Sequence, residues 1–150
     1  MTLQTLQSDL DRFRQEFNGE IILPDHPSYD EARTIFNGMI NRRPSIIAQC
    51  ADVDDVRRSI HFARNHDLEI AVRGGGHSVA GKALTENGLV IDLRRMNGVS
   101  VDPEARTATV AGGATMSDLD RATEPYGLAT TGGRVSTTGV SGLTLGGGDG

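Results

Sequence analysis

Three consecutive glycines, a histidine and a serine are the residues of this chain best placed to do chemistry. They occupy positions 74–78 and follow the short apolar run at residues 69–72, which is typical of a buried strand. Glycine adopts backbone conformations closed to other residues and leaves its N–H group uncovered. Such N–H groups at the end of a strand bind anions, most often phosphate. The pattern predicts a phosphate-binding turn with His77 beside a bound cofactor.

A second glycine-rich segment runs from Gly127 to the end of the chain. It holds nine glycines, with Val135, Val140, Leu143 and Leu145 interleaved. These apolar residues argue against disorder, so we expect backbone pressed against something flat. Because a natural domain rarely ends inside a glycine cluster, we also expect the chain to be a piece of a longer protein.

The chain nearly matches two familiar nucleotide-binding motifs but lacks one required residue of each. Residues 76–83 almost fit the phosphate loop of NTPases, but Ala83 stands where a magnesium-binding hydroxyl is needed. The dinucleotide fingerprint of doubly wound folds fails as well, since Val79 occupies the position of its third glycine. The glycine turn therefore belongs to another class of site.

The remaining metal-binding and nucleophilic side chains favour structural roles. His61 and His66 are five residues apart and point to different faces of a predicted helix, so they do not form a metal pair. His26 lies among turn residues. Cys50 is the only cysteine, which excludes an internal disulfide and indicates a small buried apolar group. We predict no metal site.

Composition excludes several functional classes. The 150 residues carry a formal net charge of −5 and 4% aromatics, which disfavours binding to nucleic acid. No apolar run approaches the length of a membrane span, and the N-terminus lacks the pattern of a secretory signal. We expect a soluble cytoplasmic protein that does not bind membranes.

Periodicity predicts an α+β fold. A lead-in at residues 1–40 begins with a helix over residues 2–17, has an extended piece at 21–23 and is weakly helical over 30–40. A small mixed subdomain at about 41–111 and the start of a second one follow. Their predicted helices cover residues 52–65 and 115–123, and their predicted strands cover 45–49, 69–72, 89–92, 99–102 and 107–111. The unit 45–72 favours a right-handed parallel crossover.

Five segments taken in order carry a family resemblance. They are residues 43–56, 72–78, 89–93, 111–115 and 130–148. This series resembles the PCMH-type FAD-binding domain of FAD-linked oxidases in the vanillyl-alcohol oxidase superfamily, most closely the berberine-bridge-enzyme-like branch. The resemblance implies that residues 41–150 are an FAD-binding domain, incomplete at its C-terminal end, and that the substrate domain lies elsewhere.

The resemblance also implies site residues. In that family the glycine–histidine loop holds the FAD pyrophosphate, and the histidine bonds covalently to the 8α-methyl group of the flavin. The implied phosphate-binding residues are Arg73, Gly74, Gly75, Gly76 and Ser78, and His77 is the implied attachment point. The second glycine-rich segment would contribute Gly132, Gly133, Ser136, Thr138, Gly139, Val140, Gly142 and Gly146 to the FAD site.

Two single positions, Val135 and Val140, refine that implication. Many relatives carry a second covalent link from a cysteine, and Val135 occupies that position here, so we predict a single histidyl link. The residue corresponding to Val140 lies near flavin C4a in relatives and influences access of dioxygen, and valine is compatible with an oxidase. No catalytic base is identifiable.

The implied function is that of a flavin oxidase. It would oxidise an alcohol, sugar or amine by hydride transfer to FAD and reduce dioxygen to hydrogen peroxide. A dehydrogenase of the same superfamily, passing electrons to another acceptor, is one alternative. A structural or interaction fragment that holds no FAD is another.

Overall fold

The computed structural model describes residues 3–147, without the side chains of Leu3, Thr5 and Leu6. Thr2, where the first predicted helix begins, and residues 148–150 lie outside the described part. The helices are Leu3–Glu16 (α1), Tyr29–Ala32 (α2), Val53–Asn65 (α3), Met116–Thr123 (α4) and Val140–Gly146 (α5). The strands are Glu20–Ile22 (β1), Ile46–Gln49 (β2), Ile70–Arg73 (β3), Leu89–Asp92 (β4), Val99–Asp102 (β5) and Thr107–Val110 (β6). The predicted α+β class is confirmed.

Four strands form one sheet in the order β1-β2-β4-β3. Strands β2, β4 and β3 are parallel, and β1 is antiparallel to β2. The predicted parallel relation of β2 and β3 holds, but β4 lies between them. The turn at residues 74–78 therefore begins at the carboxyl end of an edge strand.

Alternating side chains fill both faces of the sheet. Ile46, Ala48, Leu89 and Ile91 face α1 and α3 and join a cluster with Phe62. Their neighbours in the strands face the other way, where Ile47 and Val90 pack with Tyr29, Ile35 and Leu84. Period-two alternation of buried residues on both faces is what a covered parallel sheet requires.

The predicted lead-in packs directly onto this sheet. Phe13 of α1 stacks on Phe62 of α3 with ring centroids 4.5 Å apart. The buried carboxylate of Asp55 accepts the N–H groups of Asn18 (2.9 Å) and Gly19 (2.8 Å) at the start of β1, and that of Ala51 (3.0 Å). These bonds fix α1 and β1 against the beginning of α3.

The helix predicted weakly over residues 30–40 is wrong beyond Ala32. A continuing helix would bond the N–H of Phe36 to the carbonyl of Ala32, but that N–H donates to Gly76 at 3.1 Å. The Ala32 carbonyl accepts from Arg73 instead. Contacts with the glycine turn thus replace the next helical turn.

The hairpin β5–β6 and helix α4 form the second part of the described structure. The hairpin turns at Asp102, whose Oδ1 accepts the N–H groups of Glu104 and Ala105 at 3.0 Å each. Helix α4 begins with a capping box: Thr115 Oγ1 accepts from the Asp118 N–H at 3.3 Å, and Asp118 Oδ2 accepts from the Thr115 N–H at 2.8 Å.

Candidate cofactor-binding site

The turn after β3 contains a run of backbone N–H groups that make no hydrogen bond within the described structure. The N–H groups of residues 74–78 donate to no described residue, while the neighbouring carbonyls of Arg73 and Gly76 accept from Leu93 and Phe36. Gly76 has φ = +71°, in the left-handed region that glycine tolerates without strain. The loop is therefore held by its carbonyls and keeps its donors free for a ligand.

The second glycine-rich segment packs against this turn backbone to backbone. A Cβ added to Gly75 would lie 2.3 Å from the nitrogen of Gly139, closer than real Cβ contacts. A Cβ on Gly74 would lie 3.0 Å from Ser141 Oγ, which donates to the Gly112 carbonyl at 2.7 Å. The two segments therefore make one continuous wall.

The first turn of α4 fixes the second segment in place. The N–H groups of Met116 and Ser117 donate to the carbonyls of Thr138 and Ser136, each at 2.9 Å. These are N–H groups that a helix start cannot satisfy internally. Residues 136–139 thus serve as the cap of α4 while presenting their other side to the glycine turn.

His77 is held by two contacts at the mouth of the site. Its Nε2 lies 2.8 Å from Thr137 Oγ1. Its ring stacks on Phe36, with centroids 4.4 Å apart and planes at 17°. The imidazole is therefore oriented before any ligand arrives.

A cleft of about 500 Å³ is lined by both segments. Its lining includes Gly74, Gly75, Gly76, His77 and Ser78 from the first segment and Thr138, Gly139, Gly142 and Gly146 from the second. Val72, Lys82, Ala83, Leu143 and Gly147 complete the lining. The structure thus brings together nine of the residues that the sequence placed at one site.

The structure places the Arg73 side chain behind the turn, and the phosphate contact that the resemblance implies stays a prediction. Its side chain is buried, at 5% exposure, and its guanidinium donates to the carbonyls of Ala32 and of Thr34 (2.6 Å). Burial, then the nearby charge of Arg94, lowers the pKa of Arg73 to about 10. Arg73 supports the turn from behind, and its buried Nε has no hydrogen-bond partner among the described residues.

Four other predicted residues lie beside the cleft without lining it. Gly132 packs under Met116, where a Cβ would meet Met116 Cε at 2.2 Å, and Gly133 lies next to Leu143. Ser136 contributes its carbonyl to the start of α4.

Val140, the fourth, is half-buried at the start of α5, and its N–H donates to the Ala114 carbonyl at 2.9 Å. That bond uses only the main chain, so the implied place of the Val140 side chain beside the flavin stays a prediction.

Sequence reasoning missed the two residues that hold His77. Thr137 lies 60 positions away from it in the chain, and Phe36 falls in the segment 30–40 that periodicity predicts to be weakly helical. Neither residue type signals such a contact. Lys82 falls within the incomplete phosphate-loop match at residues 76–83 and brings a positive charge to the cleft lining.

The arrangement suits an anionic, flat ligand better than a metal. Free N–H groups on a glycine turn bind phosphate oxygens, and glycines facing them leave room for a planar ring. Within residues 3–147 no three His, Cys, Asp or Glu side chains cluster closely enough to hold a metal ion. Within the same range no helix is both long and apolar enough to cross a membrane.

Comparison with known families agrees with this geometry. Residues 44–150 match the FAD binding domain family. That match covers more than half of the chain and includes both walls of the cleft. The chain belongs to the FAD-binding domains of the FAD-linked oxidoreductases, the class that includes the PCMH-type and berberine-bridge-enzyme-like oxidases.

Similarity to individual proteins supports the same family. The chain is 39% identical over 132 residues to (R)-6-hydroxynicotine oxidase of Paenarthrobacter nicotinovorans, covering 88% of this chain and 29% of that protein. It superposes on wild-type BBE-like 1 of Physcomitrella patens with a TM-score of 0.84 and 26% identity, over 93% of this chain and 30% of that one.

Wild-type Phl p 4.0202, described as a glucose dehydrogenase, matches with a TM-score of 0.85 and 31% identity, over 95% of this chain and 32% of that one. Phl p 4 is a grass pollen allergen. The chain therefore spans less than a third of the length of these relatives.

Proposed function

We propose that this chain is the N-terminal FAD-binding part of a flavin-dependent oxidase. The whole enzyme would oxidise an alcohol, sugar or amine and reduce dioxygen to hydrogen peroxide. When bound, FAD supplies the hydride acceptor and the route of electrons to dioxygen. The single observation that carries this proposal is the run of unpaired N–H groups at residues 74–78 in a cleft that the second glycine-rich segment also lines.

The chain's own residues would bind and orient the cofactor. The N–H groups of residues 74–78 would hold the pyrophosphate, with the charge of Lys82 at the same cleft. Gly142 and Gly146 would leave room for the ring system, because an added Cβ at either position meets nothing within 4 Å, while Gly139 allows the close contact with Gly75. Arg73 would keep the turn in shape through the Ala32 and Thr34 carbonyls.

We further propose that His77 carries FAD covalently, through one ring nitrogen and the 8α carbon. His77 lines the cleft next to the free N–H groups, and its ring is already oriented. A neutral imidazole is a competent nucleophile near neutral pH. Val135 offers no thiol for a second link, so the proposal is one covalent bond and not two.

Acid precipitation of the full-length protein tests the covalent link. Flavin absorbance is expected in the pellet of the unmutated protein and in the supernatant of His77→Ala. His61→Ala, which changes an exposed histidine on α3, is the matched control and is expected to keep flavin in the pellet. Flavin that stays soluble in the unmutated protein would refute covalent attachment.

Relatives of both electron-acceptor types have this fold, so peroxide formation is the deciding measurement. An oxidase produces one hydrogen peroxide per substrate oxidised in air, measured with a panel of alcohols, sugars and amines. Substrate-dependent reduction of an artificial dye without peroxide would favour the dehydrogenase alternative. A purified full-length protein without any flavin would favour a structural role.

A further inference from the structure

Two contacts restrict the His77 ring, one at its Nε2 atom and one over a ring face. Thr137 Oγ1 lies 2.8 Å from Nε2, in hydrogen-bonding distance. Phe36 covers one ring face at a centroid distance of 4.4 Å, and its own N–H is bonded to the Gly76 carbonyl. Nδ1 has no hydrogen-bond partner among the described residues. The two ring nitrogens are therefore inequivalent before any ligand binds.

We propose that Thr137 is the positioning residue that selects Nδ1 of His77 as the nitrogen that bonds to FAD. This inference rests on the proposed covalent attachment and adds to it the identity of the atom and of the residue that determines it. The role of Thr137 is to hold Nε2 by its hydroxyl group. Nδ1, which has no hydrogen-bond partner among the described residues, is then the nitrogen left to react with the 8α carbon.

Steric and electronic arguments point to the same nitrogen. A carbon approaching Nε2 would have to enter along the direction that Thr137 Oγ1 already occupies at 2.8 Å. In neutral imidazole one nitrogen carries the proton and the other carries the lone pair. The Nε2–Oγ1 distance fits either tautomer of His77. In the tautomer whose Nε2–H donates to Thr137 Oγ1, the lone pair is at Nδ1, and the proposal takes this tautomer as the reactive one.

The covalent step balances with dioxygen as the oxidant. The bond from Nδ1 to the 8α carbon forms, one C–H bond of the 8α-methyl group breaks, and the Nε2–H proton of His77 is lost. The two electrons released pass through the flavin to dioxygen. Together with the two protons they give one hydrogen peroxide. Thr137 Oγ1 accepts a hydrogen bond from Nε2–H until that proton leaves for solvent.

Two substitutions of Thr137 in the full-length protein separate the hydroxyl from the side-chain volume. Thr137→Val removes the hydroxyl at nearly constant shape, and Thr137→Ser keeps it. Thr144→Val changes an exposed threonine in the neighbouring helix α5 and is the control. Apoprotein of each is mixed with FAD in air. The covalent fraction is followed by acid precipitation, and non-covalent FAD binding is measured by fluorescence quenching.

The linkage itself is read from the flavin peptide. After proteolysis, NMR of the peptide distinguishes an 8α–Nδ1 bond from an 8α–Nε2 bond. We expect Nδ1 alone in the unmutated protein, in Thr137→Ser and in Thr144→Val. For Thr137→Val we expect covalent incorporation about tenfold slower, the contribution of one hydrogen bond, with Nε2-linked peptide present and non-covalent binding retained.

Each outcome decides the proposal, and the two proposals fail differently. A bond through Nε2 in the unmutated protein overturns the role of Thr137 while leaving covalent attachment intact, whether or not Thr137→Val folds. A Thr137→Val protein with the normal rate and only Nδ1 linkage also overturns it. Absence of any covalent flavin in the unmutated protein refutes the proposed attachment itself.

Discussion

The backbones of Gly75 and Gly139 lie in direct contact. A Cβ on Gly75 would lie 2.3 Å from the Gly139 nitrogen, and a Cβ on Gly139 would lie 2.3 Å from the Gly75 nitrogen. The obstacle is main chain on both sides, so no rotamer change can relieve it. The two walls of the cleft are consequently held at a distance that only glycine permits at both positions.

Alanine at position 75 is expected to separate these walls. Gly75→Ala should lower the free energy of unfolding by about 1–3 kcal/mol, as overpacking does, and should reduce the FAD content of the full-length protein. Gly38→Ala, where an added Cβ meets nothing within 4 Å, should change the stability by less than about 0.5 kcal/mol. Urea denaturation and flavin absorbance measure the two effects. Equal stability of the two variants would contradict the close approach.

The buried carboxylate of Asp55 is expected to stabilise the whole N-terminal part. Asp55→Asn replaces one acceptor oxygen by an amide that faces backbone donors, so it should cost about 2–4 kcal/mol. Asp54→Asn changes a carboxylate that is 61% exposed and paired with Arg57, and it should cost at most about 1 kcal/mol. Comparison of their urea midpoints tests this. A smaller loss for Asp55→Asn than for Asp54→Asn would contradict it.

Asp118 is expected to make stability depend on acid pH. Hydrogen bonds from the Thr115 N–H and hydroxyl, assisted by Arg121, lower the pKa of Asp118. A carboxyl group with a lowered folded-state pKa contributes stability above its unfolded pKa of about 3.9, and loses it as the pH falls through the folded value.

The matched substitutions are Asp118→Asn and Asp120→Asn, the latter on the exposed side of α4. At pH 7 Asp118→Asn should cost about 1 kcal/mol, the value of a capping interaction. That deficit relative to wild type should shrink below about pH 4. Thermal unfolding at pH 7 and pH 3 measures it, and a deficit that is constant with pH would argue against the carboxylate's role.

Cys50 is expected to be unreactive in the folded protein. Burial raises the pKa of its thiol to about 12, with a hydrogen bond to Ser59 opposing the shift. Because the thiolate is the reactive form, an alkylating reagent at pH 8 should leave the Cys50 peptide unmodified in native buffer and modify it fully in guanidinium chloride. Mass spectrometry of the peptide provides the readout. Rapid labelling of native protein would show that the thiol is accessible.

Local patterns were sufficient to predict most of the elements. The helices α1, α3 and α4 carry apolar residues on one face, and strands β2 to β6 are short apolar or alternating runs, so each reads from its own residues. The glycine turn was equally visible, because its residues are consecutive. Helix α5 was not predicted from the sequence. Three of its seven residues, Gly142, Gly146 and the β-branched Val140, have low helix propensity.

Contacts between distant segments could not be predicted in the same way. The place of β4 between β2 and β3, the bond of Thr137 to His77 and the end of α2 at Ala32 all depend on tertiary partners. The phosphate contact of Arg73 came from the family resemblance and not from a local pattern. Arg73 is buried because alternate residues of β3 point inward. Its guanidinium is paired there with the Ala32 carbonyl, next to a segment that periodicity predicts to be helical.

The order of the sheet has a consequence for biosynthesis. Strand β4 occupies the middle of the sheet although the ribosome makes it after β2 and β3. Until its last residue, Asp92, has emerged, β2 and β3 lack the strand that pairs with both of them, and exposed apolar surface of this kind favours aggregation during folding. Gly139 is synthesised later still. A cleft lined by both glycine-rich segments can therefore form only after residue 139 has been added to the chain.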